Sequence, residues 1–177
     1  GLVNGYILTA TCEGSIKNAG TAANQVTSYK VMRGGTDVTG NYTFGAPVAG
    51  TLTVNKRNVT IVSASAEKTY DGTSLTKKEV TATNLADGEG ITYNVTGSQT
   101  DVGTSDNTFT YELKANTKAD NYNITKTEGK LKVKKVDTPI IITANSDSKT
   151  YDGTALTNDG FSYTQNVLAG GDVLTAT

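Results

Sequence analysis

Six consecutive residues, Lys68-Thr69-Tyr70-Asp71-Gly72-Thr73, recur 81 positions further on as Lys149-Thr150-Tyr151-Asp152-Gly153-Thr154. The match extends through Leu75-Thr76 and Leu156-Thr157. An identity of this length is very improbable by chance, so the fold of one copy constrains the fold of the other. Similarity at a fixed spacing is the mark of a repeat architecture, built from units that stack in series.

Two further series support a period. Gly14-Ser15 matches Gly97-Ser98, and Gly20-Thr21 matches Gly103-Thr104, both 83 positions apart. Asn41-Tyr42-Thr43-Phe44 then matches Asn121-Tyr122-Asn123-Ile124, and Gly50-Thr51-Leu52-Thr53-Val54 matches Gly129-Lys130-Leu131-Lys132-Val133 at a spacing of 79. The drift in spacing places a length difference in residues 26–40 against 109–120, a stretch expected to include a loop. Residues 1–11 match 167–177 at 166 positions, twice 83, with identities at Leu2, Gly5, Leu8, Thr9, Ala10 and Thr11. On this phase, residues 1–57 are the back part of one module, 58–136 a complete module, and 137–177 the front part of the next. Lys134–Pro139 reads as a linker, with Asn55–Asn58 as its counterpart. No signal peptide is evident and the first residue is not Met, so an internal stretch of a longer polypeptide is expected.

Within 58–136 the residues predict short strands at regular spacing. Val59–Val62, a brief element at Leu75, Glu79–Thr83, Ile91–Val95, Thr108–Leu113, Tyr122–Thr125 and Lys130–Val133 carry Val, Ile, Thr and Tyr, with Phe109, Tyr111 and Leu113 on one face. Glycines at 72, 88, 90, 97, 103 and 129 punctuate them. A 3.6-residue apolar period is missing, and at most a helical turn is expected near Ala115–Ala119. The fold class is therefore all-β: small tandem modules of about 80 residues, sandwich-like (Ig-like) or β-grasp-like. A module of that size has a small core, and neighbours in series add burial.

Composition excludes several functions. Sixteen basic against seventeen acidic residues leave a net charge of −1, whereas phosphate-backbone binding calls for a basic patch. The nearest approach, Lys130, Lys132, Lys134 and Lys135, has mostly period-two spacing and reads as the solvent face of a strand whose other face carries Leu131 and Val133. Nucleic acid is not an expected partner. No apolar run approaches the roughly 18 residues of a membrane span, so membrane insertion is not expected. The chain has no histidine and a single cysteine, Cys12. That removes Ser-His-Asp and Cys-His catalysis, the commonest zinc ligand and any internal disulfide. Cys12 aligns with Val95 and is expected to be a small buried residue. A glycosidase-type carboxylate pair would need a deep cleft, which so small a core does not favour. Neither a P-loop nor a dinucleotide fingerprint occurs. No enzymatic activity, cofactor or catalytic, cofactor-binding or metal-site residue is assigned.

Other motifs have two readings each. Tyr70-Asp71-Gly72 and Tyr151-Asp152-Gly153 suit a sugar site, with a stacking ring and an accepting carboxylate. They suit a turn better, because Gly tolerates positive φ and Asp bonds nearby amides. Asp101–Asn107, Asp120-Asn121 and Asn145–Asp147 are calcium candidates that lack EF-hand spacing. A Lys–Asn isopeptide cross-link would require a buried lysine, asparagine and acid to meet in the fold. The four N-x-[ST] matches, at Asn41, Asn58, Asn94 and Asn123, read as strand composition.

These residues resemble the YDG/MBG-type repeat domains of bacterial cell-surface proteins, adhesin-like and filamentous-haemagglutinin-like. The resemblance rests on Lys-Thr-Tyr-Asp-Gly-Thr, the Leu-x-(Asn/Asp)-Gly turns at Leu2–Gly5 and Leu85–Gly88, Gly103-Thr104, and Asn-Tyr followed by Gly-x-Leu-x-Val. It implies a secreted, surface-located, non-catalytic array without family catalytic residues. The expected function is a stalk or spacer whose partners are neighbouring modules of the same polypeptide. The alternative is an adhesive module binding host glycan, mucin or matrix protein. The phase of the repeat adds a third expectation: the two partial modules complement each other between molecules, giving head-to-tail self-association by strand addition.

Overall fold

The computed structural model describes residues 3–175; Leu2, Ala176 and Thr177, identities in the outermost match, lie outside them. The fold is all-β. In chain order the strands are β1 (Tyr6–Glu13), β2 (Gly20–Arg33), β3 (Thr36–Asp37), β4 (Gly50–Val54), β5 (Arg57–Ser63), β6 (Ala66–Thr69), β7 (Val80–Thr83), β8 (Ile91–Val95), β9 (Gly103–Asp106), β10 (Phe109–Leu113), β11 (Tyr122–Thr127), β12 (Lys130–Lys134), β13 (Ile142–Ala144) and β14 (Phe161–Tyr163). Only 3-10 turns, at Thr39–Asn41 and Ala119–Asn121, supply helical geometry among the described residues. The helical turn expected near Ala115–Ala119 thus begins at its last residue, against Asn121-Tyr122.

The strands form small sheets: β2 flanked by β1, β3 and β4; β10 with β8; β11-β5-β7; β6-β12-β9; and β13 with β14. The chain clusters into two compact units, one of Gly1–Thr60, Thr83–Gly90 and Leu113–Thr125, the other of Ile61–Ala82, Ile91–Glu112 and Lys126–Thr177.

In the first unit β1 and β2 form a long antiparallel hairpin, in register from Tyr6↔Arg33 to Thr11↔Ser28 and bulged before Cys12↔Val26. Thr, Val and Tyr favour this extended run. β2 ends at Gly34-Gly35, both at positive φ, which turn the chain into β3; the stretch 26–40 thus includes this tight turn as well as the bulge at Thr27. Val31 is buried, and its amide donates to Thr39 Oγ1 at 2.9 Å. Aromatic contacts supply much of the remaining packing: Tyr29 on Phe44, Tyr6 edge-on to Tyr42, and Arg33 over the Tyr6 ring. Cys12 is exposed, not buried as its alignment with Val95 suggested. Its strand carries almost no buried side chain, whereas Val95 is only 5% exposed.

In the second unit β12 is the centre of its sheet. It pairs antiparallel with β9, from Gly103↔Val133 to Asp106↔Lys130, and parallel with β6, from Ala66↔Leu131 to Thr69↔Lys134. Leu131 and Val133 are buried, as are Ile61, Val95 and Phe109. Lys130, Lys132 and Lys134 point to solvent, and each meets a carboxylate: Lys130 that of Asp106, the other two that of Glu67. The lysine-rich run is thus the charged face of a strand. Lys134 and then Lys132 hold the Glu67 carboxyl below its ordinary value.

The matched sequences adopt matched backbone structure. Pairs Gly20↔Val54, Thr21↔Thr53, Ala22↔Leu52 and Ala23↔Thr51 between β2 and β4 stand at the positions of Gly103↔Val133, Thr104↔Lys132, Ser105↔Leu131 and Asp106↔Lys130. Asn24↔Gly50 completes the first ladder, and the Asn107 amide donates to Gly129 O in the second. The Ala64 amide donates to Glu79 O at 2.9 Å, and the Asn145 amide to Gly160 O at 2.9 Å. The same tight turn occurs three times: Tyr6 to Val3 O, Glu89 to Ala86 O, and Asp172 to Ala169 O. Gly5, Gly88 and Gly171, at positive φ, sit at the same place in each.

Candidate functional site

The two Tyr-Asp-Gly strings, whose residues suit a turn better than a sugar site, both form turns. β6 delivers Lys68 and Thr69 to the first. Lys68 Nζ donates to Asp71 Oδ1, to Thr73 O at 2.6 Å and to Thr73 Oγ1 at 2.7 Å. Asp71 Oδ1 also accepts from the Thr73 amide at 2.9 Å and from Thr73 Oγ1 at 2.8 Å. Gly72 has φ +78°, the left-handed region that a side chain disfavours. Around the second string Lys149, Asp152, Gly153 and Thr154 repeat the clasp, with Asp152 Oδ1 accepting from the Thr154 amide at 3.0 Å and Gly153 also at φ +78°. The lysine, then the threonine amide and hydroxyl, lower the Asp71 carboxyl to about 2. Asp152 is lowered from the same causes. On each aspartate these bonds gather on one oxygen, Oδ1, so the motif is an Asx-type turn locked by a lysine.

The first unit contains an open groove of about 400 Å³. Lys17, Arg57 and Lys118 give it basic character, and Glu89, Asn121 and Tyr122 form its hydrogen-bonded floor. The Asn-Tyr motif explains that floor. Tyr122 is buried; its hydroxyl accepts from the Ala86 amide at 3.1 Å and donates to Glu89 Oε2 at 2.6 Å. The Glu89 carboxylate and burial raise the Tyr122 phenol above its ordinary value, so it holds its proton more firmly. Asn121 Oδ1 accepts from the Ala19 amide at 2.8 Å, and its Nδ2 donates to Asn18 Oδ1 at 3.2 Å. These polar groups satisfy one another.

A second concavity, of about 270 Å³, lies on the β8–β10 sheet in the second unit. Tyr93, Tyr111, Asn94 and Glu112 line it, with Tyr93 46% exposed. A flat ring beside amide and carboxylate groups offers stacking and hydrogen bonds to a ligand of matching shape.

Several residues of the calcium candidates make other contacts. Asp106 pairs with Lys130, Asn121 makes the contacts above, and Asp147 Oδ1 accepts from the Ser148 amide at 2.7 Å. Among the described residues, no group of three or more Asp, Glu or Cys is arranged to hold a metal ion. Asn58 and Asn123, two of the four N-x-[ST] positions, bond to each other at 3.1 Å.

Asn107 escaped the sequence reading as an individual residue. It is 0% exposed; its Nδ2 donates to Ala64 O and Lys77 O, each at 2.8 Å, and its own carbonyl accepts from Ser63 Oγ at 2.6 Å. It thus pins three chain segments together. These amide contacts are to backbone carbonyls, so this asparagine lacks the lysine and acid that a cross-link demands. Gly97 packs on it so closely that a Cβ there would lie 2.6 Å from Asn107 Cα and 2.7 Å from the Thr108 nitrogen. Gly14 stands in the same relation to Asn24, with a Cβ 2.9 Å from its Cα. The paired spacing Gly14–Asn24 and Gly97–Asn107, 83 positions apart, was the available signal.

Comparison with known proteins gave no matching family model, curated protein or solved structure.

Proposed function

We propose that this chain is a non-catalytic structural stretch of tandem β modules, each of about 80 residues and sandwich-like or grasp-like, from a secreted protein of the bacterial surface. It acts as a stalk or spacer, with successive modules as one another's partners. The observation that carries this reading is the return of the same backbone hydrogen bonds at the spacings of the sequence matches. Secretion and surface location rest on the resemblance to YDG/MBG-type domains. Small-angle scattering on the chain, and on polypeptides carrying two and three copies in series, tests the reading. The maximum dimension is expected to grow by a constant increment per copy; a compact particle of growing mass overturns it.

The exposed Tyr93–Tyr111 face favours a second reading, an adhesive module for host glycan, mucin or matrix protein. Binding on a glycan or matrix-protein array that is lost in Tyr93→Ser would support it, and clean negatives would remove it.

A further inference from the structure

The groove of the first unit sets three cations, Lys17, Arg57 and Lys118, against one carboxylate, Glu89, which leaves two positive charges unmatched. Elsewhere lysines find acids: Lys68 and Lys149 in the clasps, and Lys130, Lys132 and Lys134 on β12, each meet one. Among the described residues none of the three groove cations makes an ion pair. Glu89 is turned to Tyr122 instead, whose hydroxyl it accepts at 2.6 Å. Glu89 raises the Tyr122 phenol and the Arg57 charge opposes that rise, so the guanidinium stands beside the groove floor.

The rest of the lining suits a ligand rich in hydroxyl groups. Asn116 donates Nδ2 to Gly88 O at 2.6 Å, while its oxygen receives no donor among the described residues. Asn55 also lines the groove, and Val54 and Ala86 give it an apolar wall for the C–H face of a ring. At about 400 Å³ the groove falls within the range of small-molecule sites. It is open and not enclosed, so units of a longer polymer can enter it.

Bonds interior to the sequence hold these side chains. Asn121 bonds Ala19 and Asn18, next to Lys17, and the β2–β4 ladder begins beside them at Gly20↔Val54. The cations therefore keep their places whatever precedes residue 1 in a longer polypeptide.

We propose that this groove binds an acidic saccharide through the carboxylates of two neighbouring uronate units. Arg57 presents its planar fork to one carboxylate, and Lys17 and Lys118 take the other as point charges. Asn55 and Asn116 accept sugar hydroxyls, while Glu89 stays on Tyr122. The inference is independent of the stalk reading. It also concerns a different place from the Tyr93–Tyr111 face, so the loss of that reading leaves it standing.

Two-dimensional NMR titration of the full chain tests it, read at the Ala19 amide, the Asn121 side-chain amide and the Arg57 Nε–H. Digalacturonate is the probe, cellobiose the neutral control, and succinate the control for two carboxylates without sugar. Digalacturonate is expected to saturate with a Kd of about 1 mM or below, and each control to bind at least about tenfold more weakly. Arg57→Ala, at an exposed residue, is expected to weaken digalacturonate about tenfold with the fold unchanged. Glu89→Gln keeps an acceptor for Tyr122 but removes the negative charge, and is expected to tighten binding about threefold. Lys132→Gln, outside the groove, is expected to change nothing. A polypeptide of residues 1–166 followed by a second whole chain, joined where 1–11 match 167–177, gives the second groove a preceding module and is expected to bind two equivalents. The absence of a saturable shift overturns the proposal, as does succinate binding equal to that of digalacturonate. So does unchanged affinity in folded Arg57→Ala. A single equivalent on the two-copy polypeptide also overturns it, because a preceding module would then fill the groove.

Discussion

The two Lys-Thr-Tyr-Asp-Gly-Thr strings fold alike but are covered differently. Around both, the lysine clasps the aspartate and threonine, the glycine takes the same φ, and a backbone bond of 2.9 Å links the flanking strands. Yet Ile61 before the first is fully buried while Ile142 before the second is 56% exposed. The difference separates two layers of information. The turn and its clasp are written locally, within a few residues of each other. Burial depends on strands that follow the first string, among them β11 beside β5 and β12 beside β6, so it is a property of the assembly and not of the string.

The sharpest way to break this comparison is to truncate the matched isoleucines. Ile61→Ala is expected to cost about 2–5 kcal/mol, as full burial of a large side chain implies, and Ile142→Ala no more than about 0.5 kcal/mol. Urea unfolding measures both. Equal costs would mean that the second string is already covered. Next come the matched asparagines. Asn107→Ala leaves two part-buried carbonyls without this donor and is expected to cost about 1–3 kcal/mol. Asn24→Ala, whose side chain bonds nothing among the described residues, should fall within about 0.5 kcal/mol by the same measurement.

The glycines test the layer the two strings share. Gly72→Ala and Gly153→Ala each force an alanine into positive φ, a strain of about 1–2 kcal/mol. Only at Gly72 does the new Cβ also meet a carbonyl, Gly170 O at 3.3 Å. Local hydrogen exchange at Thr73 and Thr154 should therefore rise in both variants, and more in the first. The smallest effect is in acid. The Asp71 carboxyl lies at about 2 in the fold against 3.8 ordinarily, so its clasp contributes fully above pH 4 and is lost as pH falls from about 4 to about 2. The Thr73 amide shift should move in that window, and Asp71→Asn should abolish that step; the Thr154 shift should move below the ordinary carboxylate range, since Asp152 is lowered too, and should be untouched by Asp71→Asn.

Much of the strand pattern was legible because it rests on alternation. Ile91–Val95 has the bounds its residues suggest, and Lys130–Val133 extends by one residue. The element expected at Leu75 is an isolated bridge to Gln99. β6 and β9 were not read as strands: Ala66-Glu67-Lys68-Thr69 and Gly103-Thr104-Ser105-Asp106 hold no large apolar residue. They are extended because β12 lies between them and satisfies their backbone groups, a tertiary cause that overrides propensity. Cys12 was misjudged for the complementary reason, since its alignment partner Val95 owes its burial to facing residues. Tyr122 and Asn121 were legible as a recurring motif, but their roles under the groove depend on Ala86, Glu89, Asn18 and Ala19, which no short pattern brings together. Asn107 left a clearer trace, in a glycine ten residues before it whose spacing recurs at Gly14 and Asn24.

The parallel pairing of β6 with β12 has a mechanical consequence. Tension applied through Ala66 and Lys134 pulls on the leading end of one strand and the trailing end of its parallel neighbour. The two ends lie at opposite limits of the ladder, so the strands are drawn past each other along their length. The registered pairs from Ala66↔Leu131 to Thr69↔Lys134 then share the load and must yield together, in shear. An antiparallel hairpin pulled from its open end would surrender its rungs one at a time, like a zip.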